Sequence, residues 1–599
     1  MQSHDFRFEL LMDAGNGAQK AGDILIMAFA KTGRFVFIEP MIPAEISPPK
    51  RTPHSMSGVV IRVSDRDVTN LGSYSDLMLV EHEILLDRRL QDQEYKPNAT
   101  VLLDMGDQKR SADLYEQAIG KAKAAGLNVI PFHMDEESTK IMWELNGNGK
   151  NMFYLGLLTH LFDTPVEDVL ASIQKTFKKL SPEKLEKNTT IFKNGHAYAK
   201  ANIPLVYSVP SAPSTGAQKL LMDGNTALAM GVVDAGIKFY GGYPITPASS
   251  IMHTLAKIFP NYGGILHQAE DEISAIGAVV GSYYAGVPSI TATSGPGLSL
   301  KQEFIGLATS AEIPCIVVDV QRGGPSTGLP TRTEQSDYFA AAFGSHGDNT
   351  KVVLSVGDVV DCFYAPHVAR YLTEKLRVPV IILSDYMTSV SYKIFDKIAL
   401  NPMEDPNDIH DDVLARFNLK RLPDVEMVVE NQSIPGDEGQ MRRVTGLNTD
   451  KNGQIMYTTQ SNIRSHTVRN EKLNHVRRCL TTPEMFGPDS GDTLIIGWGS
   501  SRSVIEESVL GLQAEGLKVS GLHLKIVYPL PIMLKEIFAK FKTVICFEVA
   551  YSDEFKPGPL ATVLRAETLV DVKSVAIPTG RPLKPAHVIA QAKELTHAN

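Results

Sequence analysis

Four glycine- and threonine-rich segments follow one another between residues 241 and 335, and an apolar stretch separates each from the next. They are Gly241-Gly-Tyr-Pro-Ile-Thr-Pro247, His267-Gln-Ala-Glu-Asp-Glu272, Thr291-Ala-Thr-Ser-Gly-Pro-Gly297 and Gly324-Pro-Ser-Thr-Gly-Leu-Pro-Thr-Arg-Thr-Glu-Gln335. Loops that alternate with short apolar strands and helices are typical of a parallel α/β sheet, which gathers its loops at one edge. The pattern therefore predicts a domain with a functional site at the carboxyl ends of its strands.

Charge and cysteine content exclude several classes of protein. A formal net charge of −9 leaves no basic surplus to neutralise phosphates, so we expect no nucleic-acid partner. The 4 cysteines are scattered, without the close spacing of a zinc or iron–sulfur motif. So few cysteines in 599 residues predict no disulfides and a cytoplasmic location, with Cys315 and Cys546 packed in the core.

No membrane segment or signal peptide is expected. Residues 273–300 carry no charge, but they contain glycines, prolines and many hydroxyl side chains, which would not form a continuous apolar helix in lipid. We interpret this run as a buried helix, a strand and a loop. Charged residues are frequent among the first 25 positions, unlike in a secretory signal.

The chain is long enough for several domains, each with its own core. A β-α-β opening predicts a first α/β domain over residues 1–200, and Pro- and Ser-rich residues 202–217 suggest a linker. A second α/β domain is predicted over 218–400, and residues 401–490 read as a polar, irregular connection. A last small α/β domain is predicted over 491–599.

Three consecutive acids, Glu270, Asp271 and Glu272, precede a helix lined with small residues. Carboxylates at a helix start are ordinarily explained by the helix macrodipole. The alternative is a carboxylate with an acid–base role, at Glu272 or Glu270.

Thr246 lies between Pro244 and Pro247, which restrict the backbone on both sides of it. Its hydroxyl is a candidate contact for a substrate carboxylate or carbonyl, and a structural turn is the alternative. Arg332 lies in a loop with Gly328, where a guanidinium can bind a carboxylate through two hydrogen bonds. A solvated surface arginine is the plainer interpretation.

Together the four segments resemble the α-subunit of 2-oxoacid:ferredoxin oxidoreductases, thiamine-diphosphate enzymes that couple oxidative decarboxylation to coenzyme A. The form with a fused N-terminal γ domain, associated with 2-oxoglutarate, is the most similar. The resemblance implies a multidomain α/β fold: a γ-type domain, a pyrimidine-binding thiamine-diphosphate domain and a transketolase C-terminal-like domain.

The resemblance also implies roles for individual residues. Glu272 would contact the aminopyrimidine ring, with Gly281 at a tight helix contact, while Thr246 and Arg332 would bind the 2-oxoacid. The remaining residues expected at the cofactor are Tyr243, Pro244, Ile245, Thr293, Ser294 and Gly295. Two segments depart from the family pattern: Ala248-Ser-Ser250 lacks a usual glutamate, and Pro48-Pro-Lys-Arg51 replaces Arg-Gly-Gly, which puts the coenzyme A contacts in question.

The resemblance further implies a separate β-subunit that supplies the diphosphate site with Mg²⁺ and the [4Fe–4S] cluster, because this chain has neither motif. The expected complex is α2β2 and reduces ferredoxin while forming acyl-CoA and CO₂; the reverse reaction would fix CO₂. Two alternatives remain: the same chemistry on pyruvate or branched-chain 2-oxoacids, or a non-catalytic assembly subunit.

Overall fold

Eight strands form the sheet of the first of two compact units in the computed structural model. The structure describes residues 3–597 except 46, 213–217, 424–433, 440, 442 and 451. The first unit comprises residues 1–222 and 391–397. Its strands, in sheet order, are β6 (Asn128–Phe132), β5 (Tyr95–Asp104), β4 (Ser75–Val80), β1 (Asp5–Asp13), β3 (Met56–Ser64), β2 (Phe35–Met41), β14 (Tyr392–Asp396) and β7 (Lys219–Asp223).

Half of this sheet is parallel and half antiparallel. Strands β6, β5, β4 and β1 run parallel, and β1, β3, β2 and β14 pair antiparallel. The helices of the unit are α1 (Ala18–Lys31), α2 (Glu83–Asp92), α3 (Ala112–Ala124), α4 (Glu136–Glu144), α5 (Lys150–Leu161), α6 (Val166–Thr176) and α7 (Pro182–Asn202). Tyr392–Asp396 falls within the range predicted for the second domain, yet it pairs with β2.

The segment predicted as a linker is partly built into the first core. Ile203, Tyr207 and Val209 are buried, and the Tyr207 ring stacks on Phe162 with a centroid distance of 5.4 Å. The linker interpretation is therefore wrong for residues 203–209, because burying these apolar side chains removes them from water. Residues 213–217 lie outside the described part of the chain.

The second unit, residues 223–390 and 398–599, contains two sheets. The larger has the order β18 (Ile526–Tyr528), β12 (Val352–Ser355), β13 (Pro379–Asp385), β11 (Cys315–Gln321), β10 (Ser289–Thr293), β8 (Phe239–Gly242) and β9 (Ile265–Gln268). All its pairs are parallel except that of β12 with β18. The smaller has the order β15 (Glu484–Phe486), β17 (Val519–Leu524), β16 (Gly491–Trp498), β19 (Phe541–Glu548) and β20 (Lys573–Ala576).

Helices cover both sheets, as parallel strands require. They are α8 (Gly224–Asp234), α9 (Ser249–Ile258), α10 (Glu272–Tyr284), α11 (Gly295–Ala311), α12 (Tyr338–Phe343), α13 (Val359–Leu376), α14 (Tyr386–Val390), α15 (Asp411–Arg416), α16 (Thr459–Cys479), α17 (Arg502–Ala514), α18 (Leu534–Phe538), α19 (Pro559–Thr568) and α20 (Pro585–His597). Among the described residues, no helix combines the length and apolar character needed to cross a membrane.

Two sequence expectations fail in the second unit. Residues 401–480 are not wholly irregular, because α16 spans 21 of them. Few side chains of α16 are apolar, so it lacks the periodic apolar stripe that identifies a helix in sequence. Gly281 is not at a tight contact either: it is exposed, and a methyl group there would meet no atom within 4 Å among the described residues. The close approach occurs instead at Gly241, where a Cβ would lie 2.7 Å from the Ala275 carbonyl oxygen.

Candidate active site

Four neighbouring parallel strands, β9, β8, β10 and β11, end at the same edge of the larger sheet. Their registers pair Gly242 with Gln268 and Thr293 with Asp319, so the segments that follow these strands emerge side by side. These segments are the four glycine- and threonine-rich loops. The topology thus brings the loops that carry the candidate residues to one sheet edge.

The three consecutive acids have three different environments at the start of α10. Asp271 is the N-cap, and its carboxylate accepts a hydrogen bond of 2.7 Å from the Ser274 backbone N–H. Glu270 is exposed, whereas Glu272, the first residue of the helix, is only 9% exposed. Helix stabilisation therefore accounts for Asp271, and it leaves the burial of Glu272 unexplained.

The Glu272 side chain packs against the first turn of α11. A Cβ at Gly297 would lie 2.8 Å from Glu272 Cγ and 3.2 Å from its Oε1, and it would collide with Thr293 Oγ1. Glycine at this position therefore lets the carboxylate and the threonine hydroxyl share one small space. Ser294 caps α11, but its buried hydroxyl has no hydrogen-bond partner among the described residues.

The loop from Tyr243 to Pro247 is exposed at its tip and fixed at its base. Tyr243, Pro244 and Thr246 are exposed, and Ile245 is half-buried. The Asn225 side chain donates a hydrogen bond of 2.9 Å to the Pro247 carbonyl oxygen. The Thr246 hydroxyl is thus presented to solvent on an anchored backbone.

Arg332 lies in the loop after β11 and is half-buried. Its Nη1 donates to the Thr331 carbonyl oxygen at 2.9 Å, and its Cβ would lie 3.3 Å from a Cβ at Gly580. The backbone N–H of Gly323 donates to the carbonyl oxygen of Arg332, and this hydrogen bond closes the loop at its base. The side chain is therefore held partly by the loop itself.

Sequence reasoning missed Arg322, the first residue after β11. The residue is only 8% exposed, and its Nη1 donates a hydrogen bond of 2.6 Å to the carbonyl oxygen of Thr246. Burial lowers the pKa of Arg322, which the carboxyl groups of Asp337 and Asp319 oppose. Its position directly after a buried parallel strand was the available signal.

Asp319 and Asp337 form a carboxyl pair behind Arg322. Asp319 is fully buried, and neither of its oxygens has a hydrogen-bond donor among the described groups. Burial and the neighbouring Asp337 raise the pKa of Asp319 well above its usual range. Burial, followed by the charge of Glu334, raises the pKa of Asp337 to about 6, which Arg322 opposes. Two adjacent acceptors are accommodated when one proton lies between them, as in coupled carboxyl dyads.

The first unit contains its own cavity, of about 350 Å³. Gly17 and Gly149, which line it, are the left-handed N-caps of α1 and α5, and neither helix has a side-chain cap. The cavity is also lined by Lys20 and Lys184. Open helix N-termini together with lysines suit a phosphorylated ligand.

Two family models match the chain. The model described as "Pyruvate ferredoxin/flavodoxin oxidoreductase" matches residues 13–198, and "Pyruvate flavodoxin/ferredoxin oxidoreductase, thiamine diP-bdg" matches residues 230–468. The second match includes all four loops at the sheet edge.

Similar proteins extend the match over the remaining chain. The 2-oxoglutarate oxidoreductase subunit KorA of Mycobacterium tuberculosis is 32% identical, with 94% of this chain and 87% of that protein covered. The 2-oxoglutarate synthase subunit KorA of Methanothermobacter marburgensis is 36% identical over 52% of this chain and 83% of its own length. The structure titled "2-oxoglutarate:ferredoxin oxidoreductase from Magnetococcus marinus with 2-oxoglutarate, coenzyme A and succinyl-CoA bound" is 31% identical, with a TM-score of 0.85 and coverage of 99% and 100%.

An identity of 32% across nearly the whole length of a KorA subunit exceeds what a shared fold alone accounts for. The sequence resemblance and the multidomain α/β fold expected from it are therefore confirmed. This chain belongs to the thiamine-diphosphate-dependent 2-oxoacid:ferredoxin oxidoreductases, and it is similar to KorA subunits over nearly its whole length.

Proposed function

We propose that this chain is the α-subunit, with a fused γ domain, of a 2-oxoglutarate:ferredoxin oxidoreductase. The complex oxidatively decarboxylates 2-oxoglutarate with coenzyme A, forms succinyl-CoA and CO₂, and passes the electrons to ferredoxin. The observation that carries this proposal is the end-to-end match to a structure titled with 2-oxoglutarate, coenzyme A and succinyl-CoA. Pyruvate or branched-chain 2-oxoacids are less favoured substrates, because the full-length relative is named for 2-oxoglutarate. The same chemistry in reverse would fix CO₂.

The described residues fit the aminopyrimidine half of thiamine diphosphate. The Glu272 carboxylate accepts no hydrogen bond from a described residue, although it is 9% exposed, and the buried Ser294 hydroxyl beside α11 is also unpartnered. When bound, thiamine diphosphate supplies the nucleophilic carbon and the electron sink for decarboxylation. Glu272 would hold the aminopyrimidine by sharing a proton between its carboxylate and a ring nitrogen. Tyr243, Pro244, Ile245, Thr293, Ser294 and Gly295 would surround the ring.

Thr246 and Arg332 are the proposed substrate contacts. The Thr246 hydroxyl is exposed on an anchored loop, which suits a hydrogen bond to the 2-oxo or carboxylate oxygen. Arg332, at the same sheet edge, would pair with a carboxylate of 2-oxoglutarate. Arg322 would hold the Thr246 backbone through its 2.6 Å hydrogen bond, and the charges of Asp337 and Asp319 would partly offset the burial of its guanidinium.

A β-subunit completes the enzyme in this proposal. It would supply the diphosphate site with Mg²⁺ and the [4Fe–4S] cluster, in an α2β2 complex that meets ferredoxin. Among the described residues, no group of three or more His, Cys, Asp or Glu side chains could hold a metal ion. The 4 cysteines are free and buried, which supports a reducing, cytoplasmic location. Residues 1–200, 218–400 and 491–599 would be the γ, pyrimidine-binding and transketolase C-terminal-like domains.

The test is a substrate panel on the complex purified after co-expression with its β-subunit. We expect coenzyme A-dependent viologen reduction, with a kcat/KM for 2-oxoglutarate at least 10-fold above the values for pyruvate and 2-oxoisovalerate. A site that pairs with the second carboxylate of 2-oxoglutarate loses that pairing with these monocarboxylic acids. The chain purified alone should be free of iron and inactive. A preference for pyruvate would overturn the substrate assignment, and inactivity of an iron-replete complex with every 2-oxoacid would overturn the enzymatic one.

A further inference from the structure

Lys301 is a fully buried lysine in the second turn of α11. Its Nζ donates a hydrogen bond of 2.7 Å to the backbone carbonyl oxygen of Glu272. Gly297, which contacts the Glu272 side chain, precedes Lys301 by one helical turn, so both lie on the same face of α11. One helix face therefore meets Glu272 twice, at its side chain and at its backbone.

The lysine charge is held in an unfavourable place for stability alone. Burying an ammonium is costly, and an unbranched apolar side chain of similar length would fill the space without that cost. The ammonium also lies at the first turn of α10, the positive end of that helix dipole. Both the burial and the helix dipole make the ammonium unfavourable for stability, which indicates that its charge has a role at the candidate active site.

We propose that Lys301 is a positioning residue that acts through Glu272: its ammonium fixes the first turn of α10 at the Glu272 carbonyl oxygen and keeps a positive charge close to that residue. The proposal rests on the role proposed above for Glu272. The charged or titratable groups that face the ammonium are Glu272 and Asp271 from α10 and the buried Cys315 thiol from β11. Burial raises the pKa of that thiol to about 12, so it stays neutral over the working range.

The pH dependence follows from the same geometry. Burial lowers the pKa of Lys301 to about 8, and the Glu272 and Asp271 charges only partly oppose this effect. The ammonium is therefore present below pH 8 and is lost as the pH rises through that value. Turnover of the complex should fall over the same range, because the positive charge close to Glu272 disappears.

The test compares Lys301→Met with Lys351→Met in the complete αβ enzyme. Lys351 is an internal match: it is also fully buried, its Nζ donates to a backbone carbonyl, that of Gly344, at 2.7 Å, and burial lowers its pKa to about 8. We expect Lys301→Met to lose at least 10-fold in kcat at pH 7 and to lose the alkaline fall near pH 8. Its Tm should stay equal or rise, because a buried charge is removed.

Each result decides the proposal. A wild-type pH profile in Lys301→Met, or the same change in Lys351→Met, would overturn it. If Lys301→Met does not fold, Lys301→Gln, which retains an N–H donor without the charge, should show the same changed profile, and a wild-type profile there would overturn the proposal. Turnover that survives in Glu272→Gln would remove the role of Glu272 and the proposal with it. An inactive Glu272→Gln beside an unaltered Lys301→Met would overturn the role of Lys301 alone.

Discussion

Turnover should fall when Glu272 is replaced by glutamine and should stay near normal when Glu270, two residues away, is replaced in the same way. Glu272→Gln keeps the shape of the side chain but removes its proton exchange, so turnover of the αβ complex should fall about 100-fold or more. Glu270 is exposed, so Glu270→Gln should leave turnover near normal. The turnover of both variants is measured by 2-oxoglutarate-dependent viologen reduction. Iron content and β-subunit association are the folding controls. A large loss of turnover in Glu270→Gln, with near-normal turnover in Glu272→Gln, would move the acid–base role from Glu272 to Glu270.

Arg332 should contribute to substrate binding through one charged contact. Arg332→Ala would leave a substrate carboxylate without its partner, which costs roughly 2–4 kcal/mol in a closed site. The expected loss in kcat/KM for 2-oxoglutarate is about 30- to 1000-fold. Arg464→Ala, an exposed arginine on α16, is the control and should change little. Unchanged kinetics in Arg332→Ala would reassign that side chain to a structural role in its loop.

At the scale of elements, β11 and the segment before α12 bring Asp319 and Asp337 together, and this pairing predicts a pH-dependent stability. The raised pKa of Asp337, about 6, means that the folded chain binds more protons than the unfolded chain between about pH 4 and pH 6. Stability contributed by the protonated form is therefore lost as the pH rises through that window. The asparagine of Asp337→Asn stays neutral at every pH. Between pH 4.5 and pH 8 the Tm of this variant should therefore fall by about 2–4 °C less than the Tm of the wild type.

Differential scanning calorimetry at the two pH values measures this difference. Asp489→Asn, which changes an exposed carboxylate in the same unit, should follow the wild type. Equal Tm changes for Asp337→Asn and the wild type would show that the pair holds no proton over this range.

Local pattern identified the elements nearest the site and missed those defined by packing. The apolar and β-branched residues of β10 predict its bounds, Ser289–Thr293, because a buried parallel strand needs such residues. The small residues of α10 predict its bounds, Glu272–Tyr284, because they let the helix pack closely against its neighbours. Helix α16 is polar, so no periodicity marks it. Arg322 was missed because its partner, Thr246, is far away in sequence, and only the sheet joins them.

At the scale of the whole molecule, the cavity in the first unit and the 2-oxoacid candidates in the second predict that binding of coenzyme A and of the 2-oxoacid can be weakened independently. The cavity of the first unit offers the N-termini of α1 and α5 together with Lys20 and Lys184, and these suit the phosphates of coenzyme A. The candidate residues for the 2-oxoacid all lie in the second unit. Substitutions in the cavity should therefore act on coenzyme A alone.

The double variant Lys20→Ala/Lys184→Ala should raise KM for coenzyme A about 10-fold, because two charge-assisted contacts to phosphate are lost. KM for 2-oxoglutarate should stay within error. Salt screens exposed charges, so the ratio of the variant to wild-type KM should shrink as ionic strength rises from 50 mM to 500 mM. Lys178→Ala/Lys193→Ala, which removes two exposed lysines of the same unit that do not line the cavity, controls for net charge. An unchanged KM for coenzyme A in the first pair would place the coenzyme elsewhere, and an equal rise in both pairs would reduce the effect to long-range attraction.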